Sequence, residues 1–368
     1  MIPVFEPFIG EEEEQAVVAA IRRGEISGSF GSSIPTFESR FADFVGTRHA
    51  VACTSGTTAL QLAVAAAGIG GGDEVLVSAS TNIATALAAF HNGAVAVPVD
   101  SEDVTGNLDL DLVEGLVSER TRAIIPVHLF GHPVDMDRLM EIAERHDLVV
   151  IEDCAESHGA TVRGRTTGSF GAMGCFSFYA NKIITTGEGG MVTTNDDELD
   201  ARLRSLRNLA FGQPRFLHQE AGYNFRMTGY QAAMGLAQLD RIDYIIERKR
   251  ALAHSYDALL ADIPGIRTPP ELDWAHNVYW MYAIVVEDDF GVTRDELMAH
   301  LHERGIQSRT FFCPMNQQPF LRAQAGFRDV PCPVADSLWE RGLYLPSAIQ
   351  LEDATLAIVA DAIREARA

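Results

Sequence analysis

Apolar runs of strand length alternate with helical patterns through the first 153 residues of the chain. The apolar runs cover residues 50–53, 74–77, 94–99, 123–127 and 148–153. Helical patterns cover residues 57–68, a stretch from about 83, 109–117 and 135–145. Strands that are separated by helices usually pair in parallel, with helices on both faces of the sheet. The sequence therefore predicts an α/β fold with a large, mainly parallel sheet between two helical layers.

The pattern changes after residue 168. Residues 168–195 are rich in glycine, serine and aromatic residues and predict short strands and turns, whereas residues 228–260 predict one long helix that ends before Pro264. The later predicted elements are a strand at 278–286 and helices at 294–304 and 353–367. We therefore expect a large domain with an N-terminal arm at 1–248 and a small C-terminal α+β domain at 249–368.

The charge of the chain is strongly negative, with 29 basic and 51 acidic residues and a net charge of −22. A surface of this sign repels nucleic acid. No apolar run approaches the roughly 18 residues that cross a membrane, and the first residues lack the pattern of a signal peptide. We expect a cytoplasmic protein with no nucleic-acid partner and no membrane partner.

The five cysteines are irregularly spaced and include no CxxC pair. An odd number of cysteines, several in apolar surroundings, favours reduced buried thiols over disulfides or a zinc site. The sequence therefore predicts no bound metal.

Polar residues follow two of the predicted strands. Ser55, Gly56 and Thr57 stand between a strand and a helix, where free backbone N–H groups and hydroxyls suit a phosphate, although a plain helix cap fits equally well. Asp153 ends another strand, and its carboxylate could hold a positively charged ring nitrogen or cap a turn. Each motif alone is a weak signal.

A lysine supplies the third motif. Lys182 follows the aromatic-rich residues 174–181 and precedes the glycine-rich residues 187–190. Most lysines are solvated, but partial burial here would disfavour the ammonium form and make the amine a nucleophile. Pyridoxal phosphate (PLP) requires a lysine for its imine, an acid beside the ring nitrogen and a phosphate cup. The three motifs in this order predict a PLP enzyme.

The chain resembles the DegT/DnrJ/EryC1/StrS sugar aminotransferases of fold-type I, from Ile2 nearly to the C-terminus, and is most similar to the GDP-perosamine synthase-like group. The resemblance rests on residues 55–60, 126–133, 152–159, 181–191, 222–227 and 305–309, with Phe311 and Phe312. It implies a large PLP-binding domain and a small C-terminal domain.

The family's cofactor contacts can be transferred to matching residues. Lys182 would carry the cofactor as an imine and move a proton, and Asp153 would pair with the pyridinium. Gly56 and Thr57, with Ser55 beside them, would hold the phosphate. The other implied cofactor contacts are Ser177 at the phosphate, Glu156 near the ring hydroxyl, and Asn224 from a neighbouring subunit. The last contact implies a homodimer with shared sites.

His158 lies close to Asp153 in the sequence. The resemblance places it near the active site, where it is a candidate catalytic residue. A structural histidine that makes hydrogen bonds within the core is an equally good interpretation.

The sequence departs from the family at three positions. Asn82 stands where an aromatic residue usually stacks on the PLP ring, and an amide gives up on the order of 1 kcal/mol of that contact. The pocket could be reshaped for an unusual substrate, or the cofactor could be held less tightly. Ser78 stands where proline is usual, and Asn316 where histidine is common.

The resemblance implies transfer of an amino group from L-glutamate to a GDP-linked 4-keto-6-deoxyhexose. Arg226, Arg309 and Tyr223 are candidate substrate contacts, and Lys249 is a further one; an ordinary ion pair is the alternative for each charged residue. A keto-cyclitol or another small ketone is the alternative substrate. Lys182 argues against a PLP-dependent sugar dehydratase, which has histidine there, and the complete set of motifs argues against a non-catalytic PLP-binding regulator.

Overall fold

The computed structural model describes residues 1–28 and 30–367. Its strands are β1 (His49–Cys53), β2 (Glu74–Ser78), β3 (Val95–Val99), β4 (Thr121–Ile125), β5 (Val149–Asp153), β6 (Thr161–Val162), β7 (Arg165–Thr166), β8 (Met173–Ser177), β9 (Gly190–Thr194), β10 (Ile266–Arg267), β11 (Ala275–His276), β12 (Tyr282–Val286), β13 (Arg309–Thr310) and β14 (Gly342–Leu345).

The first two helices of the chain were not predicted from the sequence. The helices that begin before residue 200 are α1 (Glu11–Arg22), α2 (Ser33–Val45), α3 (Gly56–Ala66), α4 (Ala84–His91), α5 (Leu110–Leu116), α6 (Met136–Arg145) and α7 (Asp197–Arg207). The later helices are α8 (Gly229–Leu239), α9 (Ile242–Leu260), α10 (Arg294–Glu303), α11 (Pro319–Arg322), α12 (Pro333–Arg341) and α13 (Asp353–Ala366).

The large sheet has seven strands in the order β1-β9-β8-β5-β4-β2-β3. Five of these strands, β3, β2, β4, β5 and β8, pair in parallel, which confirms the predicted mainly parallel sheet. Strand β9 runs antiparallel to both β1 and β8. The glycine-rich segment predicted as short strands and turns therefore contributes two full strands to this sheet.

Both faces of the sheet are covered by helices. Successive side chains of β8 point to opposite faces, so Cys175 packs in the cluster that contains α3, whereas Phe176 packs in the cluster that contains α2. All five residues of β2, β3, β8 and β9 are buried, as expected for strands covered on both sides.

The predicted helix over residues 228–260 is wrong in one respect, because it consists of two helices. Helix α8 ends at Leu239, and Arg241 has a non-helical backbone with φ −113° and ψ 3°. The break lets α8 pack on α1 and α2 while α9 packs on α13. The predicted domain boundary after residue 248 falls inside α9 and stays a prediction.

A second, four-stranded antiparallel sheet, β10-β12-β14-β13, lies in the C-terminal part of the chain. Its strand β12 begins later than the predicted residue 278, because Tyr279 has a left-handed backbone with φ 46°. Residues 2–4 join this unit: the Ile2 N–H donates to the Gly305 carbonyl at 2.7 Å, and the Ser347 N–H donates to the Val4 carbonyl at 3.0 Å. A three-stranded sheet, β11-β6-β7, is separate from both.

The predictions about membrane-spanning segments and about the cysteine thiols can be compared with the structure. Within residues 1–28 and 30–367, no helix combines the length and apolar character needed to span a membrane. All five cysteines are free thiols, and four of them are buried.

Candidate active site

A cavity of about 290 Å³ opens at the carboxyl ends of β5 and β8, beside the start of α3. It brings together eight of the residues predicted from the sequence, which come from four separate segments of the chain. These are Ser55, Gly56, Thr57, Asn82, Asp153, Glu156, Ser177 and Lys182. Parallel strands place their carboxyl ends at one edge of a sheet, which explains why residues so far apart in sequence meet here.

The first turn of α3 forms one wall of the cavity. The Ser55 hydroxyl caps the helix by accepting the Thr58 N–H at 3.1 Å, and the first N–H groups of a helix have no partner within it. A Cβ atom on Gly56 would lie 2.6 Å from the Cβ of Ser177. Only glycine therefore lets the helix start approach β8 so closely, which directs N–H groups and the Ser177 hydroxyl to the same space.

Asp153 ends β5 with its carboxylate almost fully buried. Its Oδ2 accepts the Thr85 hydroxyl at 2.8 Å, and its Oδ1 accepts the Ala155 N–H at 3.1 Å. Burial raises the pKa of Asp153, although these two hydrogen bonds oppose the shift. A positive group placed in the cavity would restore the preference for the carboxylate form.

Lys182 Nζ lies 3.7 Å from Glu156 Oε1 and 3.9 Å from the centre of the Trp280 ring. Burial lowers the pKa of Lys182, and burial raises the pKa of Glu156 to about 7. The other Glu156 oxygen accepts the Phe130 N–H at 2.8 Å. The two groups thus form a desolvated ion pair, and burial favours the amine form of Lys182 that nucleophilic attack needs.

Aromatic residues from the second half of the chain complete the cavity and were not predicted as site residues. They are Trp280, Phe312 and Tyr344. The Trp280 indole N–H donates to the Asn181 carbonyl at 2.6 Å, which fixes the ring beside Lys182. No local pattern marks Trp280, because its role depends on how the second sheet packs against the first.

His158 lies outside the residues that line the cavity. It is fully buried among the rings of Phe41, Phe176 and Phe178, and neither ring nitrogen makes a hydrogen bond to the described residues. Burial, with a smaller effect of Lys182, lowers its pKa to about 3. The structure places it as a neutral core residue behind the cavity wall, and a catalytic role stays a prediction.

Asn224 and the predicted substrate contacts do not line this cavity in the single chain. Tyr223 stacks on Phe225 at 4.6 Å and its hydroxyl donates to Asn92, while the Arg226 guanidinium donates to the Asn208 amide oxygen at 2.8 Å. Arg309 is exposed on β13 and is paired in register with Tyr344, a cavity residue. Their roles in binding stay predictions.

Lys249 does not line the cavity and is buried in α9. Its amine donates to the carbonyls of Trp280 at 2.8 Å and Ser347 at 2.5 Å. The structure therefore gives it a core role in joining α9 to the second sheet, in place of the substrate contact considered from the sequence.

Each departure from the family pattern has a defined environment. The Asn82 amide oxygen accepts the Ala84 N–H at 3.0 Å and so closes the turn before α4. The Ser78 hydroxyl accepts the Val127 N–H at 3.1 Å, which ties β2 to the chain beyond β4. Asn316 is buried, and its amide nitrogen lies 3.4 Å from both carboxylate oxygens of Asp336.

His128, Glu152 and Cys154 form a buried group with side chains of the metal-binding type. Glu152 accepts the N–H groups of Gly168, Phe170 and Gly171, each at 2.8 Å. The His128 Nδ1 accepts the Val134 N–H, so its Nε2 carries the proton that points to Glu152. These hydrogen bonds account for the group as a structural network.

Comparison with known proteins agrees with this geometry. Residues 7–364 match the DegT/DnrJ/EryC1/StrS aminotransferase family. The chain is 42% identical over 357 residues to the GDP-perosamine synthase of Caulobacter vibrioides, with 96% of this chain and 95% of that protein covered. It is 40% identical over 359 residues to the dTDP-3-amino-3,4,6-trideoxy-alpha-D-glucose transaminase of Streptomyces venezuelae, with coverage of 96% and 93%.

A solved structure gives the same result. The crystal structure of DesV from S. venezuelae in complex with a ketimine intermediate superposes with a TM-score of 0.89 at 39% identity, covering 96% of this chain and 94% of that one. The fold class predicted from the sequence is confirmed. The chain belongs to the DegT/DnrJ/EryC1/StrS aminotransferase family.

Proposed function

We propose that this aminotransferase binds PLP in the cavity at Lys182 and moves an amino group from L-glutamate to a GDP-linked 4-keto-6-deoxyhexose. One observation carries the proposal: a desolvated lysine, a buried carboxylate and a helix N-terminus face the same cavity of about 290 Å³. These are the three groups that PLP requires.

The residues present around the cavity match the chemical groups of the cofactor. The N–H groups at Gly56 and Thr57 and the Ser177 hydroxyl would hold the phosphate, which the close approach at Gly56 permits. Asp153 would pair with the protonated ring nitrogen, and that positive charge would offset the burial of the carboxylate. Glu156 would lie near the ring hydroxyl.

The chemistry then divides between cofactor and chain. Bound PLP supplies an electron sink for the electron pair left when the substrate Cα loses its proton. With the cofactor bound, the Lys182 Nζ amine would accept this proton and then return it. Glu156 Oε1, at 3.7 Å from Nζ, stabilises the charged form of the amine between these steps.

The proposed acceptor follows from the relatives, of which one is a GDP-perosamine synthase and another acts on a dTDP-linked sugar. Arg226, Arg309 and Tyr223 remain the proposed contacts for the anionic parts of the substrates. We further propose a homodimer in which Asn224 reaches the phosphate bound by the neighbouring subunit. The cytoplasmic location inferred from the sequence stays a prediction.

The location of the cofactor can be tested directly, because Lys182 and Lys249 are the two lysines of the chain. Protein incubated with PLP is treated with borohydride, and mass spectrometry locates the reduced adduct. We expect the adduct on Lys182, its loss in Lys182→Ala and its retention in Lys249→Met. An adduct on Lys249, or turnover by Lys182→Ala, would refute the assignment.

The substrate is tested with glutamate and a panel of GDP-linked and dTDP-linked 4-keto-6-deoxyhexoses and a keto-cyclitol. Formation of an amino sugar from the GDP-linked ketone supports the proposal. Turnover of the keto-cyclitol alone would replace the substrate class. Loss of a sugar hydroxyl without amine transfer would indicate a dehydratase, and PLP binding without any glutamate reaction would indicate a regulator.

A further inference from the structure

A buried threonine touches the carboxylate proposed to face the cofactor. Thr85 lies in the first turn of α4, is fully inaccessible to solvent, and donates its hydroxyl proton to Asp153 Oδ2 at 2.8 Å. It does not line the cavity itself. Thr85 could therefore affect a bound ligand only through the residues that its hydroxyl contacts, Asp153 and Thr81.

A second hydroxyl group, that of Thr81, contacts the hydroxyl of Thr85. The Thr81 and Thr85 oxygens lie 3.0 Å apart, and each hydroxyl has one proton. Because the proton of Thr85 points to Asp153, the proton of Thr81 must point to Thr85. Thr81 reaches the cavity, so an ordered pair of hydroxyls runs from the cavity wall to the back of the carboxylate.

This pair opposes what burial alone would do to Asp153. A carboxyl group without donors in an apolar interior takes up a proton and becomes neutral, and a neutral acid no longer holds a protonated ring nitrogen by charge. The Ala155 N–H serves the other oxygen, so the rotation of the carboxylate is set from both sides.

We propose that Thr85 is a positioning residue that keeps Asp153 ionised and aimed into the cavity, and so controls the protonation of a pyridine ring bound there. This inference rests on the proposed binding of PLP. It predicts that the effect of Thr85 depends on the ring nitrogen and disappears when a ligand lacks it.

The test uses Thr85→Val, which has the same shape without the hydroxyl, and Thr85→Ser, which keeps the hydroxyl. Thr193→Val is the matched control, because Thr193 is equally buried and donates at 2.8 Å to the Gly168 carbonyl, away from the cavity. The dissociation constants of PLP and of 1-deaza-PLP, in which carbon replaces the ring nitrogen, are measured with the rate of the glutamate half-reaction.

We expect Thr85→Val to weaken PLP binding and slow the half-reaction, each by about tenfold or more, as for a lost hydrogen bond to a charged group. Thr85→Ser and Thr193→Val should stay near the unmodified protein, and all four proteins should bind 1-deaza-PLP equally. If Thr85→Val unfolds, Thr85→Ala is measured by the same binding assays.

The inference is overturned if the unmodified protein distinguishes PLP from 1-deaza-PLP and Thr85→Val does so to the same extent. It is also overturned if Thr85→Val weakens both ligands equally, since that indicates a general structural defect. Failure of the unmodified protein to bind PLP is a different result, which refutes the proposed function itself.

Discussion

Lys249 is buried and Lys182 is partly buried, and the surroundings of these two lysines of the chain differ in kind. Lys182 faces a carboxylate and an aromatic ring at the edge of a cavity, whereas Lys249 donates to two backbone carbonyls inside the protein. A neutral amine has two N–H protons, so these two carbonyls satisfy it, and a third proton would be buried without its own acceptor. Burial accordingly lowers the pKa of Lys249 to about 7.

This shift predicts a dependence of stability on pH. In the unfolded chain the pKa of a lysine is about 10.4. Between about pH 7 and about pH 10 the unfolded state therefore binds more protons than the folded state. The free energy of unfolding should therefore rise with pH in this window, by up to ~1.4 kcal/mol per pH unit from this group. Below about pH 7 Lys249 is charged in both the folded and the unfolded state, and the free-energy cost of burying that charge is fully present.

The measurement compares denaturant unfolding of the unmodified protein and Lys249→Met from pH 7 to 9, where the tyrosines are still protonated. Methionine keeps the length of the side chain and cannot be charged. We expect the difference in the free energy of unfolding between the two proteins to shift in favour of the lysine as pH rises. A difference that does not change with pH would show that Lys249 stays charged in the folded state.

A second prediction concerns Asn82. It lines the cavity at the position where the family resemblance implies an aromatic ring, and its amide oxygen accepts a backbone N–H of α4. We expect Asn82→Phe to lower the dissociation constant of PLP by about fivefold, which corresponds to roughly 1 kcal/mol of aromatic contact. Equilibrium dialysis of the cofactor measures this, with Asn316→His as the control at another of the three altered positions. Unchanged or weaker binding would indicate that the pocket is shaped around the amide.

Residues around the cavity were predictable where the local sequence marks them. Lys182, Asp153 and the Ser55–Thr57 turn stand at strand ends, and the fold places them as expected. Trp280 and Thr85 carry no such mark, because their contacts with Lys182 and Asp153 arise from packing between distant segments. Lys249 was misjudged for the same reason, since a lysine on a helix is ordinarily exposed.

Helix α3 approaches strand β8 closely at the site. A methyl group at Gly56 would overlap Ser177, so Gly56→Ala must push the helix start and β8 apart. We expect PLP affinity to fall on the order of tenfold, because forcing an extra methyl group into well-packed space costs about 1–3 kcal/mol. Gly71→Ala is the control, because its added methyl group meets nothing within 4 Å. Equal affinities for the two variants would contradict a phosphate contact at this turn.

The alternation of elements was largely predictable, and the errors have physical causes. The predicted strands and helices between residues 50 and 153 occur close to their expected bounds, because buried parallel strands are continuous apolar runs. The break between α8 and α9 was not visible, since Asp240 and Arg241 are both compatible with a helix and packing on opposite partners decides it. Helix α1 was missed because its acidic first turn is favourable at a helix start but carries no apolar repeat there.

At the scale of the whole molecule, the proposed homodimer makes a quantitative prediction. Lys182→Ala and Asn224→Ala proteins are each expected to be inactive or weak. If Asn224 acts across the interface, a hybrid dimer of the two contains one intact site, so unfolding and refolding an equal mixture should restore about a quarter of the full activity. Separate refolding of each variant is the control. No recovery in a mixture shown to contain hybrid dimers would place Asn224 in the same subunit as Lys182.

The low exposure of both lysines also determines how the folded protein reacts with reagents that modify lysine side chains. Two of the 29 basic side chains are lysines, so arginines make up the rest of the positive charge. Lys249 is 4% exposed, and the Lys182 side chain is 11% exposed and opens on the cavity. Lysine-directed cross-linkers and dyes therefore find no exposed lysine on the surface. Labelling and immobilisation of this enzyme require another anchor, and any modification of lysine in the native state reports on access to the cavity.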